Sequence, residues 1–260
     1  MKIKALFIDM DGTLLNRSHT ISNRNVKAID QLMNQGVHVF LATGRHYEIT
    51  APYHRELGLQ TPMICLNGAA IYEAENGKMI EMHPVHLNKK RLHDATEPYN
   101  VIIHTANGFY CKNASEDILE RLKIGKRQPQ LIDNLNQANV QDILKYSVRT
   151  GKPSPELSAL FKKEAKVINW NDGFEIVAPK VSKWSAIQSI IKKYRIHPHE
   201  VAAIGDGPND IEMLQHAGVG IAMKNAGEKV KFAADMIAGH HENDGLAEFI
   251  EHYLLRANAI

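Results

Sequence analysis

Two acids stand two residues apart in Asp9-Met10-Asp11-Gly12-Thr13, directly after the apolar run that ends at Ile8. On a loop that a glycine lets turn sharply, such carboxylates can converge on one point. One can attack phosphorus or bind a metal; the other can serve as general acid and then base. A bare Asp-x-Asp is more often an acidic turn that closes a strand, but the full string after an apolar strand is far more specific. A second acidic loop, Gly205-Asp206-Gly207-Pro208-Asn209-Asp210, also follows an apolar run, Val201 to Ile204. Its glycines and proline fix an unusual backbone, from which Asp206 could offer oxygen to magnesium, a hard cation that takes oxygen ligands. The alternative is a solvated turn before a helix capped by Asn209 or Asp210, and an acid is stabilised there in either case.

Thr43-Gly44-Arg45 offers a hydroxyl and successive backbone N–H groups at a strand end, which make an anion nest. Lys183 offers a compact cation for a phosphoryl oxygen. Alone, each is an ordinary turn or an ordinary lysine. Together the four segments describe a phosphoryl-transfer site. There the transferring group carries negative charge, so catalysis needs positioning and positive charge more than strong bases.

The elements that must position these residues are short apolar runs that end abruptly: Ile3–Ile8, Val37–Ala42, Met63–Leu66, Val201–Ile204 and Val219–Met223. Such runs fit strands buried on both faces of a parallel sheet. Between them lie helical patterns. Asn23–Met33 follows Ser22 as N-cap and stops near Gly36; Ser185–Tyr194, Asp210–His216 and Gly227–Ala234 read as three more helices. The alternation predicts an α/β, Rossmann-like parallel-sheet core. In such sheets the ligand crevice lies beyond the carboxyl ends of the strands, where Asp9, Thr43, Asn67 and Asp206 all fall.

The middle of the chain reads differently. It runs through a helix-like segment, the strands Val101–Thr105 and Gly108–Cys111, another helical stretch, and the strand Leu144–Val148. A helix over Ser154–Glu164 and strands over Lys166–Trp170 and Phe174–Val177 follow. Paired strands with alternating patterns predict an α+β module with a mostly antiparallel sheet. The expected organisation is a core of residues 1–82 and 179–260, interrupted by an inserted domain over residues 83–178. On its strands, His104 and Tyr110 are read equally as facing a substrate or as sheet packing.

Composition narrows the function further. The 260 residues carry 31 basic and 29 acidic side chains, a net charge of +2, which argues against a nucleic-acid partner. No stretch approaches the ~20 apolar residues that span a bilayer, so no membrane partner is expected. Two cysteines, Cys65 and Cys111, are no disulfide framework, and a reducing, cytoplasmic setting is the default expectation. Of the 14 histidines, His240-His241, His252, His197 and His199 are scattered near turns and termini without tight metal-ligand spacing. No feature reports an oligomeric state.

In order and spacing the four motifs resemble those of the haloacid-dehalogenase-like superfamily, and most closely its Cof-type sugar-phosphatase branch, whose large cap is inserted between the second and third motifs. Asn67-Gly68-Ala69 resembles a further segment of that branch, whereas Trp184 stands where the branch often has glycine. The resemblance implies Mg2+ as cofactor and a small phosphorylated substrate: a sugar phosphate, a nucleotide or a phosphorylated cofactor. It implies Asp9 as the nucleophile that becomes an aspartyl phosphate, and Asp11 as the general acid/base. It implies metal ligation by Asp9, Asp206 and the Asp11 backbone carbonyl. Phosphate is expected on the Met10 N–H, Thr43, Gly44, Lys183 and Asn209, with Asp210 orienting Lys183 or a metal-bound water. Phosphomutase chemistry and a phospho-ligand sensor without turnover are the alternative readings. A sensor does not need both acids.

Overall fold

The computed structural model describes residues 2–113, 129–132, 134 and 140–258. The expected helical stretch after Cys111 lies outside the described residues. Five parallel strands form the core sheet: β1 (Ala5–Ile8), β2 (His38–Leu41), β12 (Val201–Gly205), β13 (Val219–Ala222) and β14 (Met236–Ile237). Their order is β14-β13-β12-β1-β2. Alternation along β1 explains why all its residues are apolar. Leu6 and Ile8 join one hydrophobic cluster, Ala5 and Phe7 the other. The first cluster is closed by Ala28, Ile29 and Leu32 of α1 (Asn23–Asn34), by Tyr53 of α2 (Tyr47–Glu56) and by Leu246, Ala247 and Phe249 of α8 (Gly245–Phe249). The second is closed by Ile187, Ile190 and Ile191 of α5 (Lys183–Tyr194), by Met213 and Leu214 of α6 (Ile211–His216) and by Val230 of α7 (Glu228–Phe232). Both faces of the sheet are therefore dry, as parallel strands require. Ser22 caps α1 as expected, its hydroxyl accepting the Asn25 N–H at 3.1 Å.

β1 sits between β12 and β2, with Ile8 level with both Ile204 and Leu41. That register brings the residues just past three strand ends, Asp9, Thr43 and Asp206, into one crevice. The run Met63–Leu66 departs from expectation. β3 (Met63–Cys65) pairs antiparallel with β4 (Ala70–Tyr72) in a three-stranded sheet with β5 (Met79–Met82), and meets the core sheet through one bridge, Ala42 to Ile64. An apolar run buried on both faces looks the same in either pairing.

Between β3 and β4 the backbone passes through Leu66, Asn67 and Gly68 with φ of +51°, +59° and +94°. Such strain is held only where surroundings over-determine it, and here it presents the Asn67 side chain to the crevice.

The second sheet comprises β6 (Asn100–Thr105), β7 (Gly108–Cys111), β8 (Gln130–Leu131), β9 (Ile143–Arg149), β10 (Lys166–Trp170) and β11 (Gly173–Val177). Its order is β10-β11-β9-β6-β7-β8, and it is antiparallel except for β7–β8. Val101, Ile103, Tyr146, Val148, Phe174 and Ile176 share its apolar face. Leu92 of α3 (Lys89–Thr96), and Phe161 beyond α4 (Pro155–Ala159), cover that face. α4 is shorter than the expected Ser154–Glu164. By the period of two, His104, Lys145, Ser147 and Glu175 occupy the opposite face.

A Cβ on Gly68 would overlap the Ser182 carbonyl oxygen, on a backbone that L-residues rarely adopt. Gly68→Ala is expected to destabilise the protein by about 2–3 kcal/mol, lowering Tm by about 5–10 °C in a thermal melt.

Candidate active site

Asp9 is the first residue past β1, and its N–H donates to the Ile204 carbonyl at 3.0 Å. Its place beside β12 is thus fixed by the ladder itself. Lys183 comes from the opposite direction. The sequence suggested a helix starting at Ser185, but α5 starts at Lys183. The Ser182 hydroxyl accepts the Ser185 N–H at 3.1 Å, and the Ser185 hydroxyl accepts the Ser182 N–H at 2.9 Å. This reciprocal box satisfies first-turn donors and seats Lys183 in a rigid first turn. Trp184 beside it is buried against the His216 ring, 5.6 Å between centroids.

Lys183 Nζ is fully buried and donates to Asp9 Oδ1 at 2.5 Å and to Asp210 Oδ1 at 2.6 Å. Asp210 Oδ2 accepts the N–H groups of Asp206 and Gly207 at 3.0 and 2.9 Å. One carboxylate thereby holds both the lysine and the loop that carries Asp206. A Cβ on Gly205 would overlap it, which is why that position is glycine. Asp206 accepts the Thr13 hydroxyl at 3.3 Å and the Asn225 amide at 3.1 Å. Asn225 also donates to the Gly12 carbonyl at 2.8 Å, joining the first and fourth motifs.

Oxygens of Asp9, Asp206 and Asp210 lie within 4.8 Å of one another. Burial, foremost, pushes the Asp9 carboxyl well above its usual range; Asp210 and Asp206 add to this and Lys183 opposes it. Burial and the Asp210 charge push Asp206 up to about 7. Burial opposes charge on Lys183 too, but Asp210 and Asp9 outweigh it and hold the ammonium firmly protonated. Two buried acids, Asp9 and Asp210, and the half-buried Asp206 thus share one lysine. The missing positive charge and the all-oxygen donor set fit a divalent hard cation such as Mg2+.

Among the expected site residues, Asp9, Lys183, Asp206 and Asp210 come together. The Asp11 carboxylate does not join them. It lies half-exposed on Arg45, accepting from Nε at 2.7 Å and from the terminal nitrogen at 2.5 Å. The Met10 side chain is in the core, so only its main chain is left for a ligand. Thr43 is buried, and its hydroxyl accepts the Arg45 N–H at 3.1 Å. Gly44 and Asn209 line a cavity of about 330 Å³ that also contains Asp9, Asp11 and Asp206.

Residues 6–250 match the family model for haloacid dehalogenase-like hydrolases. The chain belongs to that family, in its Cof-type phosphatase branch. The Bacillus subtilis 5-amino-6-(5-phospho-D-ribitylamino)uracil phosphatase YcsE is 30% identical over 259 residues, 97% of this chain and 96% of its own. The Escherichia coli pyridoxal phosphate phosphatase YbhA is 26% identical over 275 residues, 98% and 100% of the two chains. A solved subclass IIB sugar phosphatase superposes with a TM-score of 0.84, covering 97% of this chain and 99% of that one. At 24% identity this likeness is one of fold.

The hydrolase's cavity also takes residues that the motifs did not announce. Lys145, Ser147, Glu175 and His104 line it from the second sheet, with Ile102, Phe109 and Trp170 as apolar wall. The tell-tale was a lone charge inside a strand: Lys145 between Leu144 and Tyr146, and Glu175 between Phe174 and Ile176. Burial works against the Glu175 charge, but Lys145 and the Asn67 amide outweigh it and hold its carboxyl below the usual range. Burial, with Lys145 adding, pushes His104 well below its ordinary value, so the ring in the cavity is neutral. Of the alternatives for the two strand residues, His104 faces the cavity and Tyr110 packs against the apolar cluster. Among the described residues no histidine joins a metal-binding group, and no helix is long and apolar enough to cross a membrane.

Asp206 binds a proton more tightly in the folded protein than in the unfolded chain, where its carboxyl titrates near 3.8. Through this group, metal-free stability falls as pH rises from about 4 to about 7. Magnesium that replaces the proton should therefore raise Tm more at pH 8 than at pH 5. Thermal melts with and without Mg2+ at the two pH values check this.

Proposed function

We propose that this chain is a magnesium-dependent phosphatase that hydrolyses a small phosphorylated metabolite through an aspartyl phosphate on Asp9. The observation that carries the reading is the placement of the Asp9 carboxylate at the cavity floor, held by Lys183 and facing Asp206. A site built only to bind phosphate gains nothing from three carboxylates at its centre. A site that must offer a nucleophile and hold a cation does. The cavity suits a small molecule, and the relatives named for 5-amino-6-(5-phospho-D-ribitylamino)uracil and for pyridoxal phosphate act on substrates of that size. We assign residues 83–178 as the cap that closes over it. The two cysteines are free and buried, in keeping with a reducing, cytoplasmic setting.

The chemistry follows from the chain's own groups. Asp9 attacks phosphorus as the ester bond to the leaving oxygen breaks, and Asp11 protonates that oxygen. Asp11 leaves Arg45 to do so. Lys183, the Thr43–Gly44 segment, the Met10 N–H and the Asn209 amide take the phosphoryl oxygens, whose charge peaks in the transition state. The Asp11 carboxylate then takes a proton from water as the water attacks phosphorus, and Asp9 departs from the acyl phosphate. Asp9, Asp206 and the Asp11 carbonyl would hold Mg2+, which would supply the charge that lets a carboxylate approach a phosphate. The cap sheet excludes bulk water while the acyl phosphate exists.

Asp9→Asn keeps an oxygen for Lys183 and the same shape. It is expected to leave the circular dichroism spectrum unchanged and to lower phosphate release from p-nitrophenyl phosphate by about a thousandfold or more. Chelation of magnesium should stop wild-type turnover and readdition restore it. Near-wild-type rates from the variant, or undiminished turnover in excess chelator, contradict the reading.

A further inference from the structure

A chain of hydrogen bonds runs from the second sheet to the phosphate loop. Glu175 Oε1 accepts Lys145 Nζ at 2.5 Å and the Ser147 hydroxyl at 3.2 Å. Lys145 Nζ donates also to the Gly44 carbonyl at 2.8 Å. Glu175 Oε2 accepts the Asn67 amide nitrogen at 2.8 Å, and Asn67 Oδ1 accepts the Asn209 amide nitrogen at 2.9 Å. Lys145, Glu175 and Asn67 are all buried, so the bonds that Glu175 accepts are short of competing water.

We propose that Glu175 is a positioning residue that fixes which end of the Asn209 amide faces the phosphate, acting through Asn67. The inference rests on the phosphatase reading for the role of Asn209, and on hydrogen-bond logic for the rest. A side-chain amide carries an acceptor at one end and donors at the other, and two amides in series can run either way round. A carboxylate has acceptors only, so it removes the choice. Asn67 must turn its nitrogen to Glu175 and hence its oxygen to Asn209. Asn209 must then answer with its nitrogen. One hydrogen of that nitrogen goes to Asn67, and the other is left for an oxygen of the phosphate, which itself only accepts. Lys145, a donor with no acceptor, holds Glu175 from the far side and ties it to Gly44. The cap thus sets the polarity of a group in the core.

Glu175→Gln should reverse the relay. Lys145 claims the new amide's oxygen, its nitrogen turns to Asn67, and Asn67 and Asn209 flip in sequence. The site then offers phosphate an acceptor. The expected result is a rise of about ten- to a hundredfold in the KM for p-nitrophenyl phosphate and in the inhibition constant of inorganic phosphate, with a smaller change in kcat. Adding Asn67→Asp moves the carboxylate one step along the relay. The introduced carboxylate accepts from the new amide on one side and from Asn209 on the other, and the original polarity returns. The double variant N67D/E175Q should recover both constants to within about threefold of wild type. A contact that merely props the cap would not be rescued by a second substitution at Asn67.

Glu175→Gln with wild-type constants overturns the inference. So does a double variant no better than the single one, including the case in which neither folds. If the single variant alone fails to fold, a double variant that folds and binds phosphate like wild type supports it. A wild-type protein that binds inorganic phosphate with this variant pattern, but turns over no phosphate ester, sinks the phosphatase reading and leaves the relay standing.

Discussion

The structure is organised around one buried ammonium group. Lys183 Nζ bonds two carboxylates, Asp9 and Asp210, in a place without solvent. A buried cation without partners would cost several kcal/mol, and buried acids without a cation would cost as much. Neither side of the cluster is tolerable alone. The constraint explains features that are otherwise unconnected. The capped start of α5 aims the lysine, Gly205 leaves room for Asp210, and the Asp206 and Gly207 N–H groups occupy the second Asp210 oxygen. Even so, the site has too little positive charge for its acids. That imbalance is what a divalent cation would offset.

The second sheet contributes through its pleat. One face is apolar and packs on α3 and the α4 segment; the other is polar and looks onto Asp9. Glu175 stands level with Ser147, and Ser147 with Ile102, in one row across three strands. A slip of one residue in any of these pairings would send the charges into the apolar cluster. Register in the cap is therefore tied to chemistry in the core. The wall of Ile102, Phe109 and Trp170 beside the charged row makes the cavity two-sided. It can hold a flat or apolar body together with a hydrogen-bonding chain.

The parts of the site legible in the sequence were those fixed locally. Asp9 and Asp206 follow apolar runs whose shortness and abrupt polar ends fit buried strands, so their place at strand ends was readable. Lys183 was readable as a candidate, but its place in the first helical turn was not, because the Ser182–Ser185 exchange that starts the helix leaves only a weak sequence signal. The β3 run was placed in the wrong sheet, since an apolar run does not say whether its partners are parallel. Lys145, Glu175 and Asn67 owe their roles to partners 28 to 142 positions away, and to a left-handed backbone at Asn67. No local pattern encodes such a meeting. The Asp11 pairing with Arg45 is likewise a tertiary outcome, joining the first two motifs across a separation of 34 residues.

The claim that most needs a direct test is that the phosphoryl group rests on Asp9 during turnover. Enzyme mixed with excess substrate and magnesium, quenched in acid within milliseconds and digested, can be read by mass spectrometry of the peptide that contains Asp9. The account predicts a fraction of that peptide heavier by one phosphoryl group, sensitive to hydroxylamine and absent from Asp9→Asn. Full turnover with no phosphoryl group on this peptide at any quench time, or with the label on another residue, would contradict it.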